Sequence, residues 1–208
     1  MKIVVIAANG KAGQRIVKEA QAAGHDVTAI VRGENRSAAT NVITRDIMDI
    51  TAEDLAGFDA VVNAFGAFTP ETLPLHTRSV AHLGDVLAGS DARLYVVGGA
   101  GSMIVDDKGT KLLETPDFPN MFVPLASAQS EQLDYLRMRD DFNWTFVSPA
   151  AEFDAEGERT GKFQIVDSDK FTVDANGNNE ISYADYAVGM VALIEAGSNN
   201  HKRVNIRH

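Results

Sequence analysis

Residues 2–13, Lys2-Ile-Val-Val-Ile-Ala-Ala-Asn-Gly-Lys-Ala-Gly13, decide the fold. Lys2 to Ala8 is a short β-branched apolar run, as a strand buried on both faces requires. From Ala12 to Ala23 the period changes. Ile16, Val17, Ala20 and Ala23 share one helical face, and Gly24 stands where a C-terminal cap belongs. Between strand and helix, Ala7 to Gly13 has the composition of a dinucleotide-binding turn. Such a turn wants one glycine for tightness, one where backbone approaches a pyrophosphate, and one where helix packs on strand. Gly10 and Gly13 meet the last two needs. Ala7 holds the first position, so the turn is expected to form without a positive φ there. The helix N-terminus would then offer free N–H groups and the positive end of its dipole to phosphate.

The strand–helix alternation continues outward. Asp26 to Val31 reads as a second strand, and Asn41 to Arg45 as a weaker third with Asp46 at its end. A short helix is expected over Thr51 to Leu55, then strands over Asp59–Asn63, Arg93–Val97 and Trp144–Val147. Helices are expected over Leu75–Ala88 and Ser127–Asp140. After Pro149 the chain turns polar and acidic, with strand-like pieces at Lys162–Val166 and Lys170–Val173. A last amphipathic helix begins near Ser182, with Asp185 in an imperfect capping box, and Val204 to Ile206 is a final strand. Repeated strand–helix units with apolar strands imply an α/β fold. We expect a single Rossmann-like domain over residues 1–208. Its sheet is doubly wound and parallel, and residues 150–182 form a small C-terminal cap on the substrate side.

Composition narrows the function. Twenty-nine acids against nineteen bases give a formal net charge of −10, which lacks the basic footprint of a nucleic-acid binder. The absence of cysteine rules out disulfides, thiolate metal sites and a thiol nucleophile. No apolar run approaches a membrane span, and the opening apolar run stops at Asn9, too early for a signal peptide. The expectation is a cytoplasmic protein, monomer or homodimer, acting on a small molecule.

The second strand bears on cofactor choice. An NAD site usually ends this strand in an acid that binds the ribose 2′-hydroxyl. Here it ends Ile30-Val31-Arg32, with Arg36 four residues on. Guanidinium forks match a 2′-phosphate, so NADP(H) is the preferred cofactor, with NAD(H) the alternative. Asp46 could accept from an adenine amino group or cap the segment that follows. Asn63-Ala64-Phe65-Gly66-Ala67 and Gly98-Gly99-Ala100-Gly101-Ser102 follow the fourth and fifth strands, where open α/β sheets bind ligands.

Several chemistries lack their residues. Carbonyl reduction by a short-chain dehydrogenase uses a tyrosine with a lysine four residues on. Here that position holds Gly99 after Tyr95, Arg139 after Tyr135, Ala187 after Tyr183 and Met190 after Tyr186. Flavin reduction escapes the need, because the reduced ring delocalises its charge and takes a proton from water. Asp174-Ala-Asn-Gly-Asn178 resembles the start of a calcium loop. Asn179 stands for the required glycine and Asp185 for the bidentate glutamate, so Asn176-Gly177 reads as a tight turn. Glu152, Asp154, Glu156 and Glu158 read as a solvated loop. The scattered histidines give no metal spacing, so no metal is expected. Met103, Phe68, Phe122 and Phe153 could wall a ring substrate, although each taken singly reads as core.

Together, AANGKAG, TAIVRGENR, YVVGGAGSM, FVSPAAEFDAEGERTGKF and ISYADYAVGMVALIE resemble the atypical short-chain dehydrogenase/reductases. Within these the chain resembles the NmrA-like, NADH-flavin reductase group and, more distantly, biliverdin reductase B. The resemblance implies a dinucleotide held by Ala7, Asn9, Gly10, Lys11, Ala12 and Gly13. It implies Arg32 and Arg36 at the 2′-phosphate, and Asp46 and Ile47 at the adenine. Ala64 and Phe65 would line the ribose, and Gly98 and Gly99 would lie near the nicotinamide with Pro149 and Ala150 closing over it. The substrate side would include Ser102 and Phe153. The implied activity is NAD(P)H-dependent reduction of a flavin (FMN, FAD or riboflavin) bound as substrate rather than prosthetic group. The same group implies a rival: a non-catalytic, redox-sensing regulator that binds NADP and reports its occupancy to a partner protein.

Overall fold

In the computed structural model, which describes residues 1–208, seven strands run parallel in the order the hydrophobic pattern requires. These are β1 (Lys2–Ile6), β2 (Asp26–Val31), β3 (Asn41–Thr44), β4 (Ala60–Asn63), β5 (Arg93–Val97), β6 (Asn143–Pro149) and, after the short strands β7 (Glu152–Asp154), β8 (Gln164–Val166) and β9 (Glu180–Ser182), β10 (Lys202–Arg207). The eight-stranded sheet is ordered β3-β2-β1-β4-β5-β6-β10-β8, with β8 antiparallel at the edge. Strand order reverses between β1, which pairs with both β2 and β4, and its neighbours, which places the switch-point crevice at the ends of β1 and β4.

The helices α1 (Lys11–Ala22), α2 (Leu75–Leu87), α3 (Val123–Leu136) and α4 (Tyr183–Ala196) cover both faces. Ile3 and Val5 point into the layer under α1 and α4 with Ile16, Val17, Tyr186 and Met190. Val4 and Ile6 point the other way, to Leu83, Leu133, Trp144 and Phe146 under α2 and α3. This is why β1 is apolar without alternation: neither face meets water. Gly24, at φ +83°, ends α1 as expected, with Gly24 N–H on Gln21 O and His25 N–H on Ala20 O at 2.9 and 3.0 Å. No helix is long and apolar enough to cross a membrane.

The structure corrects four local expectations. Thr51–Leu55 is a set of turns rather than a helix, because Asp54 accepts from Thr51 N, Thr51 Oγ1 and Arg45 and closes the segment on itself. The helical turn lies just before it, a 3-10 turn at Ile47–Asp49 capped by Asp46. α3 starts four residues before Ser127, with Pro124 in its first turn where no N–H partner is needed, and ends at Leu136. Lys170–Val173 is not a strand; Lys170 makes only an isolated bridge to Ile104. Glu152 and Asp154, expected in a solvated loop, belong to β7, which pairs in parallel with β9.

The cap is thereby stitched to the body. Asp185, in the first turn of α4, turns its carboxylate to Thr160 N (2.9 Å), Thr160 Oγ1 (2.6 Å), Gly161 N (2.7 Å) and His208 Nε2 (3.1 Å). Only half of the capping box forms, with Ser182 Oγ accepting from Asp185 N at 2.9 Å. Burial opposes ionisation of Asp185, but the hydrogen bonds from Thr160, Gly161 and His208 outweigh it and hold the carboxyl below its ordinary range. Asn176-Gly177 is the tight turn expected, with Gly177 at φ +86° and Asp174 Oδ1 accepting from Asn176 N and Asn178 N.

Candidate functional site

The turn after β1 is built by Ala7 itself taking the left-handed conformation, at φ +57°. The expectation of a turn without positive φ is wrong: the geometry needs it there, and alanine bears the strain that glycine would avoid. Gly10 N–H then closes on Ala7 O at 2.9 Å. A Cβ on Gly13 would stand 2.6 Å from Ala7 O and 2.9 Å from Ala8 Cα, so only glycine lets α1 start this close to the turn. Gly10 caps α1 without a side-chain hydrogen bond, and the first turn carries no acid. The N–H groups of Lys11, Ala12 and Gly13 have no backbone acceptor, which leaves an open, positively polarised helix end at the switch point.

Asn9 joins this turn to the arginine loop. Its Nδ2 donates to Glu34 O at 2.8 Å, and its Oδ1 accepts from Arg36 N at 2.6 Å. Gln14 Nε2 holds Asn9 O at 2.8 Å. The side chain of Asn9 is therefore spent on positioning. Arg32 and Arg36 are both exposed, and neither guanidinium is paired with a carboxylate. In a chain of net charge −10, these two guanidinium groups are free of carboxylate partners, on a loop whose backbone Asn9 ties to the turn before α1. Asp46 Oδ1 accepts from Met48 N at 3.0 Å, so the capping role is the one its geometry displays, and Ile47 is buried beside it.

The loops after β4 and β5 complete the edge. Asn63 Oδ1 takes Phe65 N at 3.0 Å, and the Phe65 ring meets His76 edge-on with centroids 5.9 Å apart. His76 is buried, with Nε2 3.1 Å from Ala67 O, and burial lowers its pKa, keeping the ring neutral. Gln132 Nε2 donates to His76 O at 2.8 Å. Asn63 Nδ2, His76 Nδ1 and Gln132 Oε1 are buried without partners in the chain. Gly98 leaves room for the Phe146 ring, and the movable Gln129 carboxamide lies where a side chain on Gly99 would stand. Ser148 Oγ donates to Gly99 O at 2.8 Å. Asn205 Nδ2 holds Ser148 O and Pro149 O at 3.1 and 2.9 Å, fixing buried Pro149 and Ala150.

The cap approaches the turn from above α1. Lys11 Nζ pairs with Glu156 at 3.1 Å, and Arg15 donates to Ala155 O and lies over the Tyr183 ring. The two residues expected on the substrate side are engaged elsewhere. Phe153 stacks on Tyr183 at 3.7 Å and leans on Tyr186, whereas Ser102 is buried with its Oγ and O taking Arg203 donors at 3.2 and 3.0 Å. Phe68 and Phe122, read singly as core, are 76% and 48% exposed, beside Met121 at 78%; Met103 is core as read. Tyr135 accepts from Arg139 at 2.6 Å, and Trp144 Nε1 holds Arg139 O, so this pair sits at the opposite, amino end of β6. Missed entirely were Gln129 and Asn205. The latter carried a signal, being an asparagine inside an apolar strand.

A parallel sheet whose switch point carries a glycine turn, an open helix end and two free arginines defines a dinucleotide-binding α/β protein. The comparisons agree with the geometry: the NAD(P)H-binding family matches residues 7–196, and the chain belongs to that family. It is 45% identical over 210 residues to the Bacillus subtilis (strain 168) protein YwnB, covering 99% of this chain and 98% of that one. It is 51% identical to SP1627 of Streptococcus pneumoniae TIGR4, a solved structure described as a putative NADH-flavin reductase. The TM-score is 0.97, with 100% of this chain and 99% of that one covered.

Proposed function

We propose that the protein is an NAD(P)H-dependent reductase, NADP(H)-preferring, that passes hydride to a flavin or similar planar acceptor. The observation that supports the cofactor preference is the Asn9 tie, which joins the backbone of the loop carrying the unpaired Arg32 and Arg36 to the turn before α1. The residues fit the group: Gly13 leaves backbone room, and no acid in the first turn of α1 competes with phosphate. The backbone from Ala7 to Gly13 would hold the pyrophosphate and Arg32 and Arg36 the 2′-phosphate, with Asp46, through the carboxylate oxygen its cap leaves free, and Ile47 at the adenine. Ala64 and Phe65 would line the ribose, and Pro149, Ala150 and the backbone of Gly98 and Gly99 would bound the nicotinamide. When bound, the reduced nicotinamide supplies a hydride from C4, and the proton completing the two-electron reduction comes from water. The chain's own contribution is positioning and exclusion of water.

Support for a flavin-type acceptor comes from the missing acid. Tyr186 is buried and donates to Val147 O at 2.8 Å, Tyr95 is buried within β5, Tyr135 lies at the far end, and Tyr183, stacked on Phe153 under Arg15, has Ala187 where the lysine partner would stand. The name given to SP1627 points the same way. Steady-state oxidation of NADPH with riboflavin, FMN and FAD tests the reading. Turnover of about 10 per second is expected; rates no faster than the reaction without enzyme would favour a dinucleotide-binding regulator.

A further inference from the structure

We propose that Gln129 recognises the acceptor, its carboxamide hydrogen-bonding the polar edge of a planar heterocycle that carries adjacent C=O and N–H groups. The inference rests on the reductase reading above and concerns the same edge of the sheet. Gln129 lies on α3, and its Oε1 occupies the space that a side chain on Gly99 would fill, directly over the backbone ending β5. The helix is held in that rotation from both sides. Ser130 accepts from Lys111 Nζ at 2.7 Å, Gln132 donates to His76 O at 2.8 Å, and Ala126 Cβ stands 2.6 Å from where a Cβ on Gly101 would be.

Of the five glutamines, Gln14, Gln21 and Gln132 each donate to a backbone carbonyl, whereas Gln164, exposed at the sheet edge, and Gln129 make no side-chain hydrogen bond. Gln129 is half-buried, yet its carboxamide has no partner. Its polar atoms are not buried, so a ligand at this edge can take the donors and the acceptor without breaking a hydrogen bond inside the protein. The chemistry of the group defines that partner. A carboxamide presents one acceptor oxygen beside two N–H donors and stays neutral at every working pH. It reads a lactam or imide edge, as on the pyrimidine portion of an isoalloxazine, and it cannot protonate a carbonyl oxygen. Residue 129 thus binds and orients an acceptor that needs no enzymic acid.

The test uses Gln129→Ala and Gln129→Glu in the full-length protein. Riboflavin binding to the NADP-saturated enzyme is followed by quenching of flavin fluorescence, alongside NADPH turnover, dinucleotide affinity and Tm. Gln129→Ala should weaken riboflavin binding and raise its KM about tenfold, equivalent to about 1.4 kcal/mol, with NADPH affinity and Tm unchanged. Gln129→Glu, which keeps the acceptor oxygens but loses both donors, should be at least as impaired. Unchanged riboflavin affinity and KM in both variants would overturn the assignment while leaving the reductase reading intact. A wild-type protein that neither binds nor reduces riboflavin would overturn both.

Discussion

Gly13→Ala isolates the geometry on which the cofactor site depends. The new Cβ would meet Ala7 O at 2.6 Å, Ala8 Cα at 2.9 Å and Ala8 C at 3.1 Å, all backbone atoms that cannot rotate away. Overpacking of this kind costs about 1–3 kcal/mol. Alanine recovers up to about 1 kcal/mol over glycine as a helix former, and Gly13 is the third residue of α1. With that gain in full the net is a loss of about 0–2 kcal/mol, or up to about 8 °C in Tm for a chain of this size. Relief requires α1 to move away from the Ala7–Ala8 turn, which shifts the Lys11, Ala12 and Gly13 N–H groups relative to that turn. NADPH affinity should therefore fall at least about tenfold, beyond what a stability loss alone produces in a protein still folded. Differential scanning calorimetry and calorimetric titration of the same preparation measure both effects. A variant with wild-type Tm and wild-type affinity would refute the claim that the close approach at Gly13 builds the site.

Other perturbations separate the remaining parts. Ala7→Gly removes left-handed strain at φ +57° and should raise stability by about 0.5–1 kcal/mol, seen as a higher Tm; a lower Tm would contradict the strained turn. Arg32→Ala should weaken NADPH binding by about 1.5–3 kcal/mol with NADH unchanged, and equal loss for both would show that Arg32 does not read the 2′-phosphate. Asp185 has a folded-state pKa below its unfolded value, so its stabilisation is complete above about pH 4 and lost as pH falls through the folded value. Asp185→Asn should destabilise by about 1–3 kcal/mol at pH 7, with the gap to wild type closing at pH 3 in urea unfolding; a gap independent of pH would refute it.

Much of the architecture was legible because period and punctuation agree in this chain. The apolar runs of β1, Ile3 to Ile6, and β4, Ala60 to Val62, mark strands covered on both faces, and Gly24 marks the end of α1. What escaped depends on contacts between segments distant in sequence. β7 is too short and too polar to be read as a strand, and it exists because Glu180–Ser182 lies beside it. Asp54 closes a loop with Arg45 that local pattern reads as helix. In the site, the glycine turn and the arginines were visible as a motif. The Asn9 bridge between them was not, since it joins residues 25 and 27 positions apart. The left-handed Ala7 was misread because residue type argues against a conformation that the turn imposes. Gly98 and Gly99 suggested room for a ligand, whereas Phe146 and Gln129 already occupy that side of the backbone.

The most direct measurement is calorimetric titration of the protein with NADPH, NADP, NADH and NAD in parallel. Binding of all four at one site, with the phosphorylated pair tighter by at least about tenfold, is the result that the open α1 terminus and the free arginines predict. Absence of binding by any dinucleotide, or equal affinity with and without the 2′-phosphate, would contradict the site as built.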